Sequence, residues 1–423
     1  MSAVRSFPGA DNRPALRLSR RPDSKETIVM TKSANLETIA AAYGVAADPA
    51  FGAVTPPIVL SSTFTFAGFD QPRAHDYSRG ANPTRQMLAE ALARLERGAG
   101  AVVTATGMAA IDLVLSILRP GDLVVAPHDC YGGTYRLLAA RSERGHFDVA
   151  FVELDDDEAL ASALRRRPTL VLIETPSNPL MRVYDIRAIA AQAHGWGAKV
   201  AVDNTFLSPA LQQPLALGAD FVIHSTTKYL NGHSDVVGGA VVAASETDAE
   251  TLSAWANIAG VTGAPFDSYL TLRGLRTLFP RIRQQQANAD SVARFLERRP
   301  EVAAVHYPGL ASHPGHSVAK RQQSGFGAML SFELTGGAEA VRRFVGAAQV
   351  FTLAESLGGV ESLIAHPPTM THVNMTAEAR QAAGIGDGLL RLSVGLEAEA
   401  DLIAGLEAGF AALGVAPGGA APG

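Results

Sequence analysis

The chain has 423 residues, 47% of them hydrophobic and 18% charged, with a formal net charge of −5. That length exceeds what one hydrophobic core usually supports, so two or three domains are expected. The mild acidity argues against nucleic acid or an anionic membrane as partner, no apolar run reaches the length of a membrane span, and the single cysteine, Cys130, excludes an intrachain disulfide framework and fits a reducing cytoplasm.

Residues 1–34 are rich in Arg, Pro and Ser, without hydrophobic periodicity or the apolar core of a signal peptide. A disordered extension is expected there, with Met30 as an alternative start. Residues 35–85 read as an N-terminal arm: Pro49–Phe66 is extended, Pro-rich and β-rich, suited to lie on another surface such as a second subunit. Asn82 followed by Pro83 predicts a helix start, with Leu88, Leu92 and Leu95 on one face and Gly98 as the stop.

From about residue 100, strand-like runs occur at Ala101–Thr104, Leu123–Pro127, Val149–Leu154, Thr169–Glu174, Val200–Asp203, Phe221–His224 and Val236–Val242. Most are separated by helical patterns such as Ile111, Val114, Leu115 and Leu118. Short β-branched strands alternating with helices predict an α/β fold, a mainly parallel seven-stranded sheet with helices on both faces over residues 86–285. After Arg283 the rhythm changes. A helix (Ala287–Glu297), strands at Val302–Val305 and Ala328–Leu334, a helix near Ala338–Ala347, the segment Phe351–His372, a late strand at Arg391–Gly395 and a final helix make residues 286–423 a smaller α+β domain. The tail Ala416–Gly423, made only of Gly, Pro and Ala, is expected to fray.

Three strand ends carry residues unusual for such places. In Thr104–Ala110 a strand runs into a helix through Gly107; glycine permits close approach, and the helix start offers free N–H groups to a phosphate. A plain strand-to-helix turn satisfies that segment equally. Asp203 ends a buried strand, either as a carboxylate paired with a cation or as a cap for Thr205 onward. Phe221–Lys228 delivers Ser225, Thr226, Thr227 and a lysine whose desolvation would free its amine; alone, it could also be a surface loop. Together a phosphate seat, a carboxylate and a lysine on one parallel sheet match what pyridoxal phosphate requires. His224, His233, His366 and His372 with Asp235 show no metal-ligand spacing, so no metal is expected.

Longer motifs sharpen this: Y-S-R-x-x-N-P-T-R at 77–85, T-G-M-A-A-I at 106–111, A-P-H-D-C-Y-G-G-T-Y-R at 126–136, P-S-N-P at 176–179, V-D-N-T-F-L-S-P at 202–209, H-S-T-T-K-Y-L-N-G-H-S-D at 224–235, L-A-E-S-L-G-G-V-E-S-L-I at 353–364 and L-R-L-S-V-G-L-E at 390–397. Over about residues 50–412 the chain resembles the Cys/Met-metabolism branch of pyridoxal-phosphate enzymes, and within it the γ-synthases. The resemblance implies a fold type I, aspartate-aminotransferase-like architecture and pyridoxal 5′-phosphate held covalently on Lys228. It implies that Asp203 pairs with the pyridine nitrogen and that Gly107, Met108, Ser225 and Thr227 bind the phosphate. Tyr77 and Arg79 would reach that phosphate from the neighbouring subunit. Tyr131 would stack on the ring and act as an acid/base group, Asn178 would touch the cofactor hydroxyl, and Arg391 with Ser356 would clamp the substrate carboxylate.

The implied reaction is γ-replacement, joining an O-acyl-L-homoserine (succinyl expected) to L-cysteine and giving L-cystathionine plus a carboxylate. Its alternative is γ-elimination of cystathionine to cysteine, ammonia and 2-oxobutanoate. Glu355 before Ser356 resembles the γ-synthases and γ-lyases and suits the amino group of a cysteine moiety. Gly80 stands directly after the Tyr-Ser-Arg triplet, where close relatives can carry arginine, which leaves Arg136 and Asp76 as candidates for the acyl end. The implied assembly is a homotetramer of two catalytic dimers in the cytoplasm, with no nucleic acid and no membrane.

Overall fold

The structure is a computed structural model and describes residues 34–373, 375, 380 and 383–414. The expectations for residues 1–33 and for Ala416–Gly423 lie outside the described residues. A short helix, Leu36–Ala42, opens the arm, and Tyr43 donates from its hydroxyl to Glu90 at 2.8 Å. Residues 49–66 form no regular helix or strand, and Phe51, Leu60 and Phe69 leave most of their rings or stems in solvent. Asn82 caps the helix Pro83–Leu95 by accepting from the N–H groups of Thr84 and Arg85 at 3.0 and 3.3 Å.

The first sheet holds β1 (Gly100–Thr104), β2 (Leu123–Pro127), β3 (Asp148–Val152), β4 (Leu170–Glu174), β5 (Lys199–Asp203), β6 (Phe221–His224) and β7 (Gly239–Ala243). Their order is β1-β7-β6-β5-β4-β2-β3, and only β7 runs antiparallel to its neighbours. All seven expected strands therefore exist, and six direct their carboxyl ends to one edge. The last starts at Gly239 rather than Val236, because the hydroxyl of Thr227 accepts from the N–H of Gly238 at 3.0 Å and ties that stretch to the loop after β6.

Alternation along the strands divides the core. Phe221, Ile223, Ala201 and Leu172 face one side with Ile111 and Val114 of the helix Gly107–Leu115. Val200, Val202, Val171 and Ile173 face the other with Leu160, Ile189 and Ala193. Both faces are covered, as a largely parallel sheet requires.

The second sheet holds β8 (Val302–His306), β9 (Met329–Leu334), β10 (Thr352–Leu353), β11 (Leu363–Ala365) and β12 (Leu389–Ser393), in the order β10-β11-β12-β9-β8. The expected late strand begins two residues earlier than Arg391, because Leu389 and Leu390 pair with Glu333 and Phe332. The helix Leu278–Glu297 runs through residue 285, so the expected division falls within a helix and not in a linker. Its buried face, including Ile282, Ala289, Val292 and Leu296, joins both units in one core with Phe332, Phe344 and Phe410.

Candidate active site

The carboxyl edge of the first sheet brings together the three strand ends singled out above. After β1, Thr106 caps the helix Gly107–Leu115 by accepting from the N–H of Ala109 at 2.9 Å. The N–H groups of Gly107 and Met108 have no acceptor among the described residues. After β6, Ser225 lies so close that a Cβ placed on Gly107 would stand 2.8 Å from the Cβ of Ser225 and 3.1 Å from its Oγ. Free amides of a helix start thus face a hydroxyl across a gap only glycine permits, which suits a phosphate. Thr227 currently exchanges hydrogen bonds with Gly238, donating to its carbonyl at 3.2 Å and accepting from its N–H at 3.0 Å.

Asp203 ends β5 beside Ile223 of β6. Its Oδ1 accepts from the N–H of Thr205 at 2.9 Å, and Thr205 Oγ1 accepts from the N–H of Ser225 at 2.9 Å. Burial raises the Asp203 carboxyl above its ordinary value, against the hydrogen bonds from Thr205. A carboxylate disfavoured in this way gains from a cationic partner.

Lys228 donates from Nζ to Ser356 Oγ at 2.8 Å. Burial first, and then the charge of Arg391, lower its amine to about 8, while Glu355 acts in the opposite direction. Arg391, on β12, is buried, and burial lowers its guanidinium to about 10. Its Nη1 donates to Asn178 Oδ1 at 2.9 Å and its Nη2 to the carbonyl of Ser356 at 2.9 Å, whereas its Nε has no partner among the described residues. A buried guanidinium with a free N–H is a ready carboxylate site. Ser356 has φ of 98°, a conformation costing a non-glycine residue about 1–3 kcal/mol. Lys228 and Arg391 hold it there by its hydroxyl and its carbonyl.

Tyr131 begins the helix Gly132–Glu143, and its ring lies over Gly133: a Cβ there would stand 2.5 Å from Tyr131 Cε1 and 2.8 Å from Met108 Sδ. Tyr131 and Glu355 both lie close enough to Arg391 to act on it electrostatically. The structure thus gathers Lys228, Ser356, Arg391, Asn178, Tyr131 and Glu355 in one cluster, with Asp203, Ser225, Gly107 and Met108 on the adjoining strand ends.

Four expected residues stand apart within the protomer. Tyr77 is exposed, Arg79 donates from Nη1 to the carbonyl of Asn257 at 3.2 Å, and Asp76 accepts from the N–H of Tyr77 at 2.6 Å. Arg136 is exposed one turn into the helix that Tyr131 begins. No contact among the described residues joins these four to Lys228.

Two residues were not assigned to this site from the sequence. Glu174 ends β4 and is buried; Oε2 accepts from the N–H of Tyr131 at 2.8 Å and Oε1 from the N–H of Asn178 at 3.1 Å. A carboxylate closing an apolar strand ahead of P-S-N-P was the available signal. His372 is buried, with Nε2 3.2 Å from the carbonyl of Asn178, and burial and Arg391 lower it to about 4, so it is neutral at pH 7. Its contact arises between segments almost two hundred positions apart, and no local pattern announces it. Among the described residues no group of three or more His, Cys, Asp or Glu is placed to hold a metal.

The donor set fits pyridoxal phosphate: amides and a hydroxyl for the phosphate, a carboxylate for the ring nitrogen, an amine of lowered basicity and an aromatic wall. Residues 37–411 match the family profile described as Cys/Met metabolism PLP-dependent enzyme. The chain is 58% identical over 376 residues to cystathionine γ-synthase of Escherichia coli (strain K12), covering 89% of this chain and 97% of that protein. It is 47% identical over 360 residues to cystathionine β-lyase of Lactococcus lactis subsp. cremoris (strain MG1363), covering 85% of this chain and 94% of that one. The crystal structure of cystathionine γ-synthase from Xanthomonas oryzae pv. oryzae in complex with cystathionine superposes with a TM-score of 0.89 at 59% identity, over 90% of this chain and 98% of the other.

Proposed function

The chain belongs to the Cys/Met-metabolism family of pyridoxal-phosphate-dependent enzymes, and we propose that it joins an O-acyl-L-homoserine to L-cysteine by γ-replacement, giving L-cystathionine and the free carboxylate. The observation that carries a reaction at the γ-carbon is Glu355, and the 58–59% identity to cystathionine γ-synthases favours synthesis over elimination. The Glu355 carboxylate acts on both Lys228 and Arg391, so an acid stands beside the base and the carboxylate clamp, where it can hold the ammonium group of the incoming cysteine.

Pyridoxal phosphate, when bound, supplies an electron sink that makes the carbon-bound protons of the amino acid acidic. Lys228 would hold it covalently and, as a free amine, would move protons at Cα and Cβ of the substrate; burial and Arg391 lower that amine to about 8, which favours its proton-accepting form. Asp203 would pair with the ring nitrogen and favour its protonated form. Gly107, Met108, Ser225 and Thr227 would hold the phosphate. Tyr131 covers the ring and serves as an acid/base group, Asn178 meets the cofactor hydroxyl, and Arg391 with Ser356 grips the substrate carboxylate.

The reading extends to a cytoplasmic homotetramer of two catalytic dimers, with Tyr77 and Arg79 serving the neighbouring subunit and Asp76 and Arg136 at the acyl end. The exposed Tyr77 and apolar arm support it. No helix among the described residues is long and apolar enough to cross a membrane.

The test is a product assay on cofactor-loaded protein, after checking that the visible absorbance band of attached cofactor is lost in Lys228→Ala. O-succinyl- and O-acetyl-L-homoserine are offered with and without L-cysteine, and L-cystathionine alone. Cystathionine formed only when donor and cysteine are both present is the expected result, and the faster donor identifies the acyl group. Efficient breakdown of cystathionine with negligible synthesis would make the protein a γ-lyase and sink the proposal.

A further inference from the structure

Glu174 is a buried acid to which the chemistry above assigns no task. We propose that Glu174 is a positioning residue, whose carboxylate holds Tyr131 over the cofactor ring and, through Asn178, sets the alignment of Arg391. The inference rests on the reading that Tyr131 covers the ring.

The geometry is a continuous path. Glu174 Oε2 accepts from the N–H of Tyr131 at 2.8 Å and Oε1 from the N–H of Asn178 at 3.1 Å. Asn178 Oδ1 accepts from Arg391 Nη1 at 2.9 Å, Arg391 Nη2 donates to the carbonyl of Ser356 at 2.9 Å, and Lys228 donates to Ser356 Oγ at 2.8 Å. One acid therefore connects the aromatic wall on the large sheet with the carboxylate clamp on β12 and the amine after β6.

The residue type matters. A carboxylate accepts on both oxygens, whereas a glutamine in the same place accepts on one atom and sets N–H against N–H at the other. An acid is also the expensive choice here. Glu174 is the register neighbour of Asp203, and burial together with that charge raises its carboxyl well above the ordinary range. No cation forms an ion pair with it among the described residues; the two backbone amides oppose the rise. A carboxylate kept at such a position, on the two loops that carry Tyr131 and Asn178, serves the placement of those loops.

The test uses Glu174→Gln, alone and combined with Tyr131→Ala, with Glu174→Asp as a charge-retaining variant. Three quantities are read: the dissociation constant of pyridoxal phosphate from the cofactor-stripped protein, the visible circular dichroism of bound cofactor, and kcat and KM separately. Glu174→Gln is expected to weaken cofactor binding roughly tenfold, the scale of one lost charge-assisted hydrogen bond. It is also expected to reduce the circular dichroism and to lower kcat more than it raises KM. Glu174→Asp keeps both acceptor oxygens on a shorter stem and should recover part of the dichroism. In the Tyr131→Ala background, Glu174→Gln should change the dichroism no further. Wild-type dichroism and affinity in Glu174→Gln would overturn the proposal. So would additive losses when Tyr131→Ala alone has altered the signal, and this outcome leaves Tyr131 in place over the ring. An unchanged signal in Tyr131→Ala alone overturns the placement of Tyr131, and this inference with it.

Discussion

Lys228 pairs with Ser356 Oγ at 2.8 Å beneath Arg391, and burial lowers its amine from 10.5 to about 8. The ammonium is therefore disfavoured in the folded chain, by an amount on the order of 3 kcal/mol. Below pH 8 folded and unfolded chains both carry the proton and the penalty is full. Between about 8 and 10.5 the unfolded chain binds more protons, so this residue makes stability rise with pH. Cofactor-stripped Lys228→Met is expected to exceed the native chain in urea midpoint near pH 7, with the gap closing as pH approaches 10.5. Equal midpoints across that range would place the amine in water at its ordinary basicity.

At the scale of elements, the helix Gly107–Leu115 meets the end of β6 through the missing side chain of Gly107. Glycine is needed there for approach, since a Cβ would stand 2.8 Å from that of Ser225. Overpacking of this kind costs about 1–3 kcal/mol. Gly107→Ala should therefore raise the pyridoxal phosphate dissociation constant of the stripped protein by roughly ten- to hundredfold. Gly195→Ala, with nothing within 4 Å of the added carbon, is the control and should bind as the native chain does. Equal affinity in the two variants would remove the helix start from the phosphate seat. The neighbouring β4–β5 pair shows the same economy: register sets Glu174 beside Asp203, so two acids share one edge of the site.

At the scale of the whole molecule, the arm leaves Phe51, Leu60, Phe69 and Tyr77 exposed, and Arg79 engages Asn257 rather than the Lys228 cluster. If Tyr77 and Arg79 serve the neighbouring subunit, two inactive variants complement each other. Arg79→Ala and Lys228→Ala, mixed by reversible unfolding or co-expression, should recover about a quarter of native activity, because half the dimers are hybrid and each hybrid holds one intact site. No recovery would assign Arg79 to its own subunit.

The sequence by itself determined the strands, the glycine turn, the carboxylate and the lysine, because each is written locally: β-branched runs, a glycine at a helix start, one cation after an apolar strand. It also carried the family, through motifs contiguous in the chain. Only the tertiary structure decided that Lys228 donates to Ser356, that Arg391 reaches Asn178, and that Glu174 clasps the amides of Tyr131 and Asn178. Apart from Glu174 and Asn178, four positions apart, these contacts join segments 43 to 213 positions apart. They follow from sheet order and from the packing of one long helix, Leu278–Glu297, against both units, which hydrophobic periodicity does not encode.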